Sequence, residues 1–92
     1  MMAELPKYLV ECPTYFKYVD HKGRSLAWFK RTDRKDGARC IKYIECGDWD
    51  GDATRWTLGR EYVIFIPSDM DNYKLHIEPL TDAEAFTAEV QE

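Results

Sequence analysis

The residues that could carry out chemistry in this 92-residue chain are two histidines, three cysteines and several closely spaced aspartates. His21 and His76 each stand alone, with no Gly-x-Ser-x-Gly, His-Glu-x-x-His or phosphate-cradling glycine motif beside them. Asp69 and Asp71 are spaced as an acid/base pair, but aspartates in Ser-Asp-Met-Asp-Asn are also explained by turn formation. We therefore expect a protein without catalytic activity.

The cysteines are the first candidate metal ligands. Cys12, Cys40 and Cys46 form no Cys-x-x-Cys pair, and an odd number of cysteines cannot pair completely within one chain. Three reduced, partly buried thiols are the interpretation that we favour. The alternatives are a zinc site with His21 or His76 as the fourth ligand, or a disulfide.

The segment 48–52 is the second candidate metal site, because it places aspartates at alternating positions. An EF-hand requires glycine at its sixth position and glutamate at its twelfth, where this chain has Ala53 and Gly59. A solvated acidic loop explains the segment better. We expect no metal and no other cofactor.

Positive and negative charges are separated along the chain. Residues 1–42 contain ten Lys or Arg and five acids, whereas residues 43–92 contain three Lys or Arg and twelve acids. The net charge of −4 thus averages two oppositely charged regions, each of which could form an interaction surface.

The acidic region predicts a protein partner. Converging carboxylates attract a basic surface, including one that normally holds nucleic acid, and they accelerate association. Charge that serves only solubility is the alternative. The predicted protein-binding residues are Asp69, Asp71, Glu78, Asp82, Glu84 and Glu89.

The basic hairpins of residues 17–42 favour a different function, the binding of nucleic acid. Basic residues there alternate with aromatic ones, as in proteins that bind single strands. We nevertheless expect Phe16, Trp28 and Phe29 to belong to the core. The residues predicted to bind nucleic acid are Lys30, Arg31, Arg34, Lys35 and Arg39.

Length and composition indicate one folded domain over residues 1–92. The chain is 45% hydrophobic and 14% aromatic, which is too apolar for a disordered protein. Its longest mostly apolar run, 62–66, is too short to cross a membrane, and its N-terminus does not resemble a secretory signal. We expect a cytoplasmic protein, a monomer or weak homodimer, that does not bind membranes.

Residue patterns predict a mainly β (α+β) fold of five to six short strands. The predicted strands are 7–12, 15–19, 25–31, 38–46, 60–66 and 73–78, with two hairpins among them and a turn at 67–72. A parity change along 38–46 indicates a β-bulge near Tyr43 or a strand covered on both faces. Apolar residues at both parities predict that 60–66 is a central strand buried on both sides.

A capping box at Thr81 and Glu84 begins one short C-terminal helix, with Phe86 and Val90 on a single face. A helix of this length is marginally stable alone, so we expect it to dock on the sheet.

Two segments carry a family resemblance: 38–45, and Trp56-Thr57-Leu58-Gly59-Arg60-Glu61-Tyr62-Val63-Ile64-Phe65. Together they resemble small phage-borne SH3-like barrels, in which a strand and a mobile loop precede a Leu-Thr-x-Gly-Lys-x-Tyr-x-Val strand entry. Here Thr57 precedes Leu58, Arg60 replaces Lys, and the loop is longer and more acidic. The resemblance implies a small antiparallel sheet or partial SH3-like barrel, with a turn at Gly59 and core positions at Tyr62 and Ile64.

The resemblance also implies a phage or mobile-element origin without catalytic residues. The function it favours is an inhibitor that occupies a host protein or ribonucleoprotein complex in the host cytoplasm, such as an anti-CRISPR or other anti-defence protein. A nucleic-acid-binding regulator that uses residues 17–42 is the alternative. A structural module that pairs its sheet edges with a second copy is a third hypothesis.

Overall fold

The computed structural model of the protein describes residues 7–43, 56–72 and 74–91. Five strands and three helices follow one another in those residues. In chain order they are α1 (Lys7–Val10), β1 (Tyr15–Asp20), β2 (Ser25–Arg31), β3 (Gly37–Tyr43), β4 (Glu61–Val63), α2 (Pro67–Asn72), β5 (Leu75–Pro79) and α3 (Asp82–Gln91).

The strands form one antiparallel sheet in the order β4-β3-β2-β1-β5. The predicted mainly β fold with a small antiparallel sheet is confirmed, as are both hairpins, β1–β2 and β2–β3. The first hairpin turns at Asp20, whose carboxylate is buried and accepts hydrogen bonds from the backbone N–H groups of Lys22 (3.0 Å) and Arg24 (2.8 Å).

The central strand is β2, not the predicted 60–66. Residues Leu26 to Phe29 are buried in succession, because β2 has a neighbouring strand on each side and is covered on both faces. β4 is short, lies at one end of the strand order, and pairs only with the start of β3. Its Glu61 and Val63 are exposed, and Ile64 just beyond it is buried.

The predicted β-bulge exists, two residues before Tyr43. Phe29 pairs with Cys40 and Trp28 pairs with Lys42, so Ile41 is the extra residue of β3. Because of this insertion, Cys40 and Lys42 lie on opposite faces of the sheet although they are two residues apart. Ile44 and Cys46, which carry the second part of the predicted parity change, lie outside the described residues.

One face of the sheet, which we call the core face, is filled by aromatic side chains. The rings of Phe16, Tyr18, Phe29 and Trp56 lie 5.1–5.6 Å from their neighbours in this cluster. The expectation that Phe16 and Phe29 are core residues is confirmed. Tyr18 Oη accepts a hydrogen bond from the Phe65 backbone N–H (3.1 Å), and burial raises the pKa of Tyr18.

The opposite face, which we call the second face, carries Lys17, Trp28 and Lys42 side by side across three strands. Trp28 is only 6% exposed, and the Lys42 ammonium lies 4.5 Å from the centroid of one of its rings. The expectation that Trp28 is buried is therefore confirmed as well.

The first element is a helix, so the prediction of a strand at 7–12 is wrong. Leu9 and Cys12, three residues apart, are buried, whereas Val10 is 63% exposed. The Glu11 N–H donates to the Lys7 carbonyl at 3.0 Å. Burial therefore follows a helical spacing and not the alternation suggested by Tyr8, Val10 and Cys12.

The predicted turn at 67–72 is also a helix, α2. Pro67 opens it, where a missing N–H costs nothing, and Asp69 lies in its first turn. Lys74 follows with a positive φ of 56°, and its N–H donates to the Asp71 carbonyl (3.1 Å), which ends the helix.

The third helix, α3, begins as predicted. Thr81 and Glu84 form the capping box: the Thr81 N–H donates to Glu84 Oε1 (3.0 Å) and the Glu84 N–H donates to Thr81 Oγ1 (3.1 Å). Phe86 and Val90, 67% and 68% exposed, do not face the protein, whereas Ala88 is buried.

At the loop before β4, Gly59 has a φ of 82°, as expected for a tight turn, and Tyr62 and Ile64 contribute to the core. In β5, Leu75 is buried, Ile77 is half-buried and His76 is exposed, as the alternation predicts.

Candidate functional site

The six acids predicted to bind a protein do not converge on one surface. Asp69 and Asp71 lie on α2, whose Met70 packs against the core face. Glu84 and Glu89 of α3 contact β1 side chains instead. The structure thus separates an α2 group from an α3 group.

Three of these acids bind side chains of the protein itself. Glu84 forms an ion pair with Lys17 at 3.3 Å, Glu89 accepts a hydrogen bond from the Tyr15 hydroxyl at 3.3 Å, and Glu78 lies 2.6 Å from His76. The backbone hydrogen bond from Thr81, assisted by Lys17 against the effect of burial, lowers the pKa of Glu84. The contacts of Glu84 and Glu89 attach α3 to the sheet, whereas the Glu78–His76 pair lies within β5.

The other three acids are Asp69, Asp71 and Asp82. Within the described residues, their side chains make no hydrogen bond or ion pair. They are the carboxylates of the predicted set that remain available to a partner.

Asp71 borders a cavity of about 530 Å³, which we call the α2–β5 groove. Alternate residues of β5 form its floor: Leu75, Ile77 and Pro79 share the core face of the strand. Its remaining lining residues are Tyr8, Glu11, Cys12, Pro13, Pro67, Met70, Asp71 and His76. The volume is that of a typical ligand site, and the lining is mainly apolar.

Two carboxylates supply the fixed charge of the groove. Glu11 is exposed and paired only loosely with Lys7, at 3.8 Å, and Asp71 is exposed at the end of α2. Burial, opposed by Arg31, raises the pKa of the Cys12 thiol, so this residue adds no charge. The groove therefore suits a ligand that is apolar and positively charged.

The basic residues converge elsewhere, in a second cavity of about 300 Å³ that we call the hairpin cleft. It contains four of the five residues predicted to bind nucleic acid. The lining residues are Lys30, Arg31, Thr32, Asp33, Arg34, Arg39 and Glu61. Lys35 lies in the same β2–β3 connection and is exposed.

Much of the positive charge in the hairpin cleft is used internally. The Arg31 guanidinium donates to the carbonyls of Leu9 (2.8 Å), Cys12 (3.0 Å) and Lys35 (3.0 Å). Arg34 pairs with Asp36 at 2.8 Å. Gly37 lies so close to Glu61 and Thr32 that a Cβ atom would collide with both side chains. These contacts indicate a packed hairpin end.

The residues that we considered as metal ligands lie apart or outside the described residues. Cys12 and Cys40 are buried thiols without a disulfide, and burial raises the pKa of Cys40 to about 11. Cys46 and the 48–52 loop lie outside the described residues. Within 7–43, 56–72 and 74–91, no three His, Cys, Asp or Glu side chains are grouped as metal ligands.

No family model matches this chain, and neither the curated proteins nor the solved structures include a significant match. In the described part of the chain, no helix has the length and apolar character needed to cross a membrane.

Sequence reasoning did not find the α2–β5 groove, because α1 was interpreted as a strand and α2 as a turn. The signals that could have found it are the Leu9–Cys12 spacing and Pro67 two residues before Asp69.

Proposed function

We propose that this chain is a non-catalytic binding protein that occupies and blocks a host protein or ribonucleoprotein complex in the host cytoplasm, as anti-CRISPR and other anti-defence proteins do. The observation that carries the proposal is the α2–β5 groove with Asp69 and Asp71 on the helix beside it. A concave, mainly apolar site with a few polar groups is the usual form of a binding site. The resemblance to phage-borne proteins supports the choice of partner.

The charge of this region supports a basic partner. A surface that normally contacts nucleic acid is rich in Lys and Arg, and carboxylates without internal partners attract it before contact is made. Occupation of that surface would block the complex without any chemical step.

Affinity capture from host lysate, followed by mass spectrometry, tests the proposal. The Asp69→Asn/Asp71→Asn variant should capture the host complex several-fold less than the wild type, because two uncompensated charges are removed. The matched control is Lys35→Gln/Arg39→Gln, which removes two basic side chains that make no hydrogen bond or ion pair within the described residues and should capture as the wild type does. Recovery of only background proteins by the wild type would show that the proposal is wrong.

Nucleic-acid binding is the second candidate function, because the hairpin cleft brings four of the predicted basic residues together. Contacts would have to be made mainly to phosphates, since the neighbouring Phe16, Trp28 and Phe29 are buried and cannot stack on bases.

A further inference from the structure

We infer that the α2–β5 groove is a docking site for an extended segment of a partner protein, with one apolar side chain between two basic ones. The inference rests on the proposed function and goes further by naming the chemistry of the segment. It is carried by the floor of the groove, the positions of its two carboxylates and the side chains that line it.

The floor has the length of a short extended segment. Leu75, Ile77 and Pro79 are alternate residues of β5, and a strand rises about 3.3 Å per residue, so the floor extends roughly 13 Å. Five extended residues cover the same length, and their first, third and fifth side chains point in one direction. Such a segment can direct three side chains into the groove.

The two carboxylates belong to separate elements beside this floor. Asp71 lies at the end of α2, and its carbonyl accepts the N–H of Lys74, the residue before Leu75. Glu11 follows α1, in the segment that leads to β1, whose Phe16 is paired with Pro79. We therefore place one basic side chain towards each carboxylate, at the first and fifth positions, with an apolar third side chain over Ile77.

The charge of the lining selects against other ligands. Of the described residues that line the groove, only His76 has a basic side chain, and it lies 2.6 Å from Glu78. An acidic segment or a nucleic-acid phosphate would be repelled by the two carboxylates of the lining.

Two synthetic peptides of identical composition test the inference. In Lys-Thr-Leu-Thr-Lys, both lysines and the leucine share one side of an extended chain, whereas in Thr-Lys-Leu-Lys-Thr the lysines point away from the leucine. Each peptide, capped at both ends, is titrated into the ¹⁵N-labelled full chain and followed by NMR. We expect amide shifts at Tyr8, Met70, Leu75 and Ile77, with the first peptide binding several-fold more tightly.

Variants separate the groove from general charge attraction. Glu11→Gln and Asp71→Asn should each weaken binding of the first peptide by about two- to fivefold, the range of exposed ion pairs. Asp82→Asn, which removes an exposed carboxylate of α3, is the matched control and should change nothing. The NMR spectrum of each variant shows whether it is folded.

The inference is overturned if the two peptides bind equally, if Asp82→Asn has the same effect as Asp71→Asn, or if the shifts occur at the hairpin cleft. The proposed function has a separate outcome. If Glu11→Gln captures the host complex as the wild type does while Asp69→Asn/Asp71→Asn captures less, the groove inference fails and the proposed function stands.

Discussion

The α2–β5 groove and the hairpin cleft are both charged cavities of one small sheet, but their charges make different contacts. In the cleft, Arg31 donates three hydrogen bonds to backbone carbonyls and Arg34 pairs with Asp36. In the groove, the Asp71 carboxylate makes no hydrogen bond or ion pair within the described residues. A charge that is already hydrogen-bonded or paired within the protein is less available to a partner, whereas an uncompensated charge beside an apolar surface is available for binding.

Arg31 also connects the two regions. Its side chain lines the cleft, and its guanidinium reaches the carbonyls of Leu9 and Cys12, the segment that forms one wall of the groove. The basic region therefore helps to build the acidic site. Binding of a partner by the charges of the hairpin cleft would contradict this division between the two regions.

The largest expected effect concerns the aromatic residues of the basic region. Phe29→Ala should lower the free energy of unfolding by about 3–5 kcal/mol, because Phe29 is 1% exposed and contacts Phe16, Tyr18 and Trp56. Urea denaturation followed by circular dichroism measures the change. Tyr15→Phe, which removes only the hydroxyl bonded to Glu89, is the control and should cost about 0.5 kcal/mol or less. A stable Phe29→Ala protein would mean that the basic region presents its aromatics for binding.

Arg31→Met should cost about 2 kcal/mol, because the carbonyls of Leu9 and Cys12 lose a charged donor while the apolar stem of the side chain is kept. The loss should appear in urea denaturation and as shifted amides of Tyr8 and Leu9 in NMR spectra. Arg39→Met, on an exposed neighbour in the same cleft, should change stability by less than about 0.5 kcal/mol. Equal effects of the two substitutions would contradict a structural role for Arg31.

How far the sequence predicts this molecule depends on how local each signal is. The strand Ser25–Arg31 and the capping box at Thr81 are encoded by neighbouring residues, and both were predicted correctly. The position of a strand in the sheet depends on pairing with residues that are distant in sequence. The segment 60–66 has apolar residues at both parities, but among the described strands its residues Glu61–Val63 pair with β3 alone, and β4 lies at one end of the strand order.

The candidate site was harder to predict for the same reason. Asp71 is identified by its charge, but the groove that it borders is completed by Tyr8, Glu11 and Cys12, which are distant from it in sequence. Glu84 and Glu89 look like equivalent acids in the sequence, and only their contacts with Lys17 and Tyr15 assign them to the attachment of α3. Charge composition predicts an acidic patch, but contacts with other elements determine which carboxylates are available to a partner.

Glu84→Gln sharpens this distinction between bound and available acids. We expect a loss of about 1 kcal/mol at pH 7, because both the capping box and the Lys17 ion pair are weakened. Since the pKa of Glu84 is lowered in the folded protein, its contribution is complete above the ordinary glutamate pKa and is lost as the pH falls through the lowered value.

The difference in stability between wild type and Glu84→Gln should therefore shrink as the pH falls below the ordinary glutamate pKa, about 4.3, and through the lowered pKa of Glu84. Urea denaturation at several pH values measures it, with Asp82→Asn as the control that should differ little from the wild type. A difference in stability that does not change with pH would mean that the ionised Glu84 carboxylate is not its cause.

The smallest expected effect is on nucleic-acid binding by the hairpin cleft. Lys35 and Arg39 are exposed bases whose side chains make no hydrogen bond or ion pair within the described residues, so they are the ones that phosphates could reach. We expect the wild type to retain a labelled single-stranded oligonucleotide weakly at low salt, and Lys35→Gln/Arg39→Gln to change this retention little. If the cleft binds nucleic acid, retention is strong and falls steeply with salt, and loss of two phosphate contacts reduces the slope of log K against log [salt] by about 1.4. That result would reverse the comparison, because the cleft would then be the binding site and the carboxylates of the groove would serve solubility.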